Sequence, residues 1–162
     1  MTRLYSNGAF VDDTWRYLAD QDPLPIEGRA IVSLTRWRAE QLQLVALGVP
    51  LGVKVEVGDT IDALADDIGR LALVALSFPK FTDGRSYSKG RLLREQYGFK
   101  GEIRAVGEVL LDQIPLMLRC GFDAFEVGHE PTIRALEQSH LPAIQRTYQT
   151  IGAHGVARRR LA

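Results

Sequence analysis

The chain has 162 residues, 46% hydrophobic and 25% charged, with a formal net charge of zero at pH 7. That length and apolar content fit one globular domain around a single core, and a neutral balance argues against a general nucleic-acid binder. No apolar run approaches the roughly 20 residues that cross a bilayer, the opening MTRLYSNGAF lacks a signal-peptide layout, and the lone Cys120 excludes a disulfide framework, so a cytoplasmic, reduced setting is expected.

Residues 1–20 read as a small β-hairpin, because Asn7-Gly8 stands between two short β-rich runs and is the strongest short-range turn signal. The polar stretch 21–29, punctuated by Pro23 and Pro25, reads as an irregular connection. From residue 30 to about 150 strand and helix signals alternate. RAIVSL is a strand, and TRWRAEQLQLVALG has helical spacing with Trp37, Leu42 and Leu47 toward one side, Thr35 as N-cap and Gly48 as stop. LGVKVEV is the next strand, and GDTIDALADDIGR the next helix, capped by Asp59 or Thr60. LALVALSF is almost wholly apolar, as a strand covered on both faces should be.

A third helix is expected over Ser86–Tyr97, ended by Gly98, with Phe99 folding back on Leu93. GEIRAVG is a strand, DQIPLMLRCG a helix with Asp112 as N-cap, and FDAFEV a strand. PTIRALEQSHLPAIQRTYQT is the last helix, and 151–162 a loose basic tail. The fold expected is therefore α/β, with about five parallel βα units as a doubly wound layer or a partial (β/α) barrel. A partial barrel would leave open edges and favour a homodimer.

Charge is unevenly spread. Residues 80–104 hold seven basic side chains (Lys80, Arg85, Lys89, Arg91, Arg94, Lys100, Arg104) against the three acids Asp83, Glu95 and Glu102, a local charge of +4. Cations around the start of the third helix oppose its dipole, which favours acids. Backbone N–H groups, the Ser86 and Ser88 hydroxyls and the charges of Lys80, Arg85, Arg91 and Arg104 would suit a small oxyanion. The competing reading is a solvated basic face. Asp83, Asp112, Glu108 and His129 are the catalytic candidates near the strand C-terminal ends, where ligands of parallel α/β folds gather. Glu108 and Glu126 are a further candidate acid/base pair, with salt bridges the alternative. The three histidines lack metal-ligand spacing, and no GxGxxG, GxxxxGK[ST] or GxSxG motif occurs, so neither metal nor cofactor is expected.

The stretch FPKFTDGRSYSKGRLLREQYGFKGEIRAVGEVLLDQIPLMLRCGFDAFEV resembles a bacterial family labelled as an oxidoreductase of sulfite reduction. The resemblance runs through Phe78, Asp83, Gly84, Arg85, Arg94, Gly98, Gly101, Glu102, Arg104, Gly107, Asp112, Gln113, Gly121, Asp123 and Phe125. Members are encoded beside sulfite reductase and sulfonucleotide reductase, which implies a place in sulfate assimilation toward cysteine. Two expectations follow. One is an accessory protein that binds sulfite reductase or its electron donor; the other is an enzyme or carrier for a small sulfur oxyanion or sulfonucleotide. The first needs Arg85 outward on an open face. The second needs Asp83, Arg85, Arg104 and Asp112 to converge in a pocket; the same four could instead form a structural ion-pair network.

Overall fold

The computed structural model describes residues 1–80 and 82–138. Strands β1 (Arg3–Ser6), β2 (Ala9–Val11), β3 (Trp15–Tyr17), β4 (Arg29–Ser33), β5 (Leu51–Val55), β6 (Leu73–Phe78), β7 (Glu102–Gly107) and β8 (Ala124–Val127) form one sheet. Their order is β2-β1-β8-β7-β6-β5-β4-β3. β3 to β8 run parallel, each beside its successor in the chain, and β1 and β2 are antiparallel additions at the β8 edge. A doubly wound sheet reverses its strand order at a switch point. This one does not, so its parallel core has the order of a barrel wall.

The sheet is curled. β3 and β8 stand five places apart, which on a flat sheet would be about 24 Å. Yet Tyr17 of β3 donates from its hydroxyl to Glu126 of β8 at 2.6 Å. Helices α1 (Leu34–Ala46), α2 (Arg85–Glu95), α3 (Ile114–Arg119) and α4 (Glu130–Glu137) lie against the convex face. There Trp37, Leu44, Leu93, Met117 and Ile133 pack with Val32, Val53, Val74, Leu76, Ile103 and Phe125 of the strands. The alternate strand positions, Ile31, Leu73, Ala75 and Val106, pack on the concave face with Trp15. β6, the central parallel strand, is buried at every residue, as its apolar run requires.

Several expectations are corrected. Residues 1–20 do not stay together: β1 and β2 pair around Asn7 and Gly8, both with positive φ (52° and 84°), but β3 crosses to the far edge beside β4. GDTIDALADDIGR forms two 3₁₀ turns, Ile61–Leu64 and Ile68–Arg70, in place of a helix. Thr60 caps the first through Asp62 N–H, while Asp67 beyond it is engaged by Trp37 Nε1 at 3.2 Å. The N-cap of α1 is Ser33, whose hydroxyl accepts from Arg36 N–H at 3.0 Å, so Thr35 is not the cap. Glu40 breaks the helical geometry of α1 (φ −121°, ψ 18°), and Leu42 faces solvent at 84% exposure. Asp112 lies in a 3₁₀ turn before α3 and makes no capping bond; Gln113 Oε1 accepts from Leu110 N–H there. The outer half of the last expected helix and the tail lie outside the described residues.

Candidate functional site

β7 carries Glu102, Arg104 and Val106 on the concave face, alternating with Ile103 and Ala105 on the convex one. Arg104 is fully buried. A guanidinium cannot shed its charge, so burial there demands carboxylate partners. It has three. Nε donates to Glu102 at 2.8 Å, Nη1 to Asp13 at 2.8 Å and Glu126 at 3.0 Å, and Nη2 to Asp13 at 3.2 Å. Burial alone would lower the Arg104 pKa, but these hydrogen bonds raise it. Tyr17 is pushed up from the ordinary phenol value, by burial of its hydroxyl end and by the bond to Glu126.

Above this network a cavity of about 220 Å³ opens, lined by Tyr17, Lys54, Ser77, Val106, Gly107 and Glu126. These residues stand toward the C-terminal ends of β3, β5, β6, β7 and β8, the end where parallel α/β folds take ligands. Lys54 Nζ donates to Glu56 at 2.9 Å. Burial pushes the Glu56 carboxyl up, but hydrogen bonds from Lys54 and the Ser77 hydroxyl outweigh it and hold the carboxyl low. Gly107 closes the wall in a backbone that only glycine tolerates well: φ is +97°, and a Cβ would stand 2.4 Å from the Phe78 carbonyl oxygen.

The basic start of α2 is resolved internally. Asp83 accepts from the Arg85 backbone N–H at 3.2 Å and from its guanidinium at 3.1 and 2.8 Å, placing an acid at the helix start. Those Arg85 hydrogen bonds hold the Asp83 carboxyl below its ordinary value. Ser86 is buried and donates to the Ser77 carbonyl at 2.6 Å, pinning α2 to β6. Lys89 reaches away to the Glu56 and Val57 carbonyls, both at 2.8 Å, and burial lowers its pKa.

The structure does not bring the expected anion residues together. Arg104 lies in the concave network, while the Arg85 side chain is 65% exposed beside Asp83. Lys80, Ser88 and Arg91 are exposed, and Arg91 meets the thiol of Cys120. Asp112 and Glu108 are exposed, the latter with its N–H on the Phe78 carbonyl at 2.7 Å. Glu126 points into the Arg104 network. His129, just ahead of α4, is exposed, with Nδ1 2.8 Å from Thr132 Oγ1. Among the described residues no group of three or more His, Cys, Asp or Glu could hold a metal.

Sequence reading missed Asp13, Tyr17, Lys54 and Ser77 as members of one site. Arg104 in mid-strand between Ile103 and Ala105 was the available signal, since an inward arginine calls for acids on neighbouring strands. Arg94 shows the contrasting, structural use of charge: it donates to the Gly121, Phe99 and Gly101 carbonyls at 3.0, 2.7 and 2.8 Å and to Asp123.

Residues 52–157 match the family described as "Bacterial protein of unknown function (DUF934)", and the chain belongs to that family. No curated protein matches the chain. No helix among the described residues is long and apolar enough to cross a membrane.

Proposed function

We propose that the protein is an accessory factor of sulfite reduction in sulfate assimilation, binding sulfite reductase or its electron donor through the outer face of α2. The observation that carries this reading is the outward Arg85, 65% exposed while Arg104 is sequestered elsewhere. Arg85, Ser88, Leu92 and Glu95 recur at helical spacing and all are exposed, with Arg91 and Lys80 beside them. Leu92, 39% exposed, supplies an apolar point between Ser88 and Glu95, with Arg91 next to it in the chain. Such a surface suits an acidic protein patch, with attraction that weakens as salt rises.

The test is calorimetric titration of sulfite reductase, and separately of its electron donor, with the wild-type protein and an Arg85→Glu/Arg91→Glu variant. Binding to one of them is expected, at least tenfold weaker in the variant and weaker at high salt. If neither binds, and sulfite, sulfate or adenosine 5′-phosphosulfate instead raises the melting temperature in an Arg85-dependent way, the protein is an oxyanion enzyme or carrier.

A further inference from the structure

We propose that the cavity on the concave face binds a small zwitterion carrying an ammonium and a carboxylate, a molecule of the amino-acid class. This is independent of the docking surface on α2, which lies on the convex side.

The two walls of the cavity carry opposite charges, each with hydrogen-bonding capacity left over. On β8, both hydrogen bonds to Glu126 end on Oε1, from Tyr17 at 2.6 Å and Arg104 at 3.0 Å. Oε2 has no such partner among the described residues. The network behind it sets the single charge of Arg104 against Asp13, Glu102 and Glu126, one cation to three anions, a net charge of −2. A cationic N–H donor arriving through the cavity would supply what that wall lacks.

On β5, Lys54 uses one of its three N–H groups on Glu56 at 2.9 Å, and its side chain is 37% exposed. It can give the others to an acceptor. The Ser77 and Tyr17 hydroxyls already donate to Glu56 and Glu126, so each presents its oxygen to the cavity as an acceptor. An oxyanion alone would take the remaining Lys54 donors but face the excess negative charge; an amine alone would leave those donors, beyond the one turned to Glu56, unused. A molecule with both groups answers both walls. At about 220 Å³ the space is below the range of drug-sized sites, roughly 300–1,000 Å³, and admits only a few heavy atoms.

Calorimetric titration of the full-length protein with glycine, L-alanine, L-serine and β-alanine tests this, with acetate, methylammonium and sulfate as single-charge controls. At least one zwitterion is expected to bind, ten times or more tighter than any control. Lys54→Met and Glu126→Gln should each weaken it tenfold or more. Lys54 stands outside the Arg104 network, so the Lys54→Met result decides even if Glu126→Gln does not fold. The proposal fails if no zwitterion binds, if a single-charge control binds as tightly, or if Lys54→Met binds undiminished.

Discussion

Asp13 grips Arg104 with both carboxylate oxygens across 91 residues of chain, at 2.8 and 3.2 Å. The contact ties the segment ahead of β3 to the concave face of β7, from the opposite side of the curl. It also makes Arg104 the hub on which Glu102 and Glu126 depend.

Arg104→Ala should therefore destabilise by less than the roughly 3–5 kcal/mol of a fully buried pair, because Glu126, 16% exposed, loses its cation while Asp13 and Glu102 keep 32% and 30% of their side chains in water. Urea denaturation measures this directly. Asp112→Ala, on an exposed turn, is the control and should stay within about 0.5 kcal/mol of wild type.

Tyr17 should be the last of the described phenols to ionise in an alkaline titration followed by ultraviolet absorbance. Its folded pKa lies above the unfolded value of about 10. The folded state thus holds its proton after the unfolded state has released it. The stability this contributes is complete below about pH 10 and is lost as pH climbs toward the folded pKa. Tyr17→Phe should flatten that alkaline loss.

Ser86→Ala should cost about 0.5–1.5 kcal/mol, the worth of one buried hydrogen bond, since its hydroxyl holds α2 to the Ser77 carbonyl. The same substitution should leave any sulfate response unchanged. A lost sulfate response in a fully folded variant would put the hydroxyl in a ligand site instead.

Gly107→Ala should destabilise by about 1–3 kcal/mol, from the left-handed backbone and the approach to Phe78. Gly58→Ala, where a Cβ meets nothing within 4 Å, is the control. Melting curves of the two variants separate the effects.

At the Asp83–Arg85 pair, carboxyl resonances followed by NMR should show Asp83 titrating below the ordinary aspartate value near 3.9. A depressed carboxyl adds stability above that value and loses it as pH falls through the folded pKa. Arg85→Ala removes the guanidinium bonds but keeps the backbone N–H, so it should move the Asp83 titration only part of the way back.

The strands were readable because each is a short apolar or β-branched run between turn signals, and β4 through β8 fall where those runs are. The long-range features were not. Nothing local in WRY says that Tyr17 will meet Glu126, because the meeting depends on curvature summed over five strand gaps. The GDTIDALADDIGR segment misled because its apolar residues do recur at helical spacing. Asp67 is drawn instead into bonds with Trp37 and Gln41 of α1, and Gly69 adds little helix preference. The basic cluster misled for a related reason: charge counts along the chain do not show that Arg104 faces inward and Arg85 outward.

β1 begins at residue 3, yet it pairs with β8 at residues 124–127. During synthesis β1 therefore waits for β8. At about 5–20 residues per second, roughly 6–25 s pass before Val127 is made and can meet Arg3. Throughout that time the β1–β2 pair has no neighbour to cover Leu4 and Tyr5. A truncation that removes β8 should therefore leave Leu4 and Tyr5 uncovered on that side.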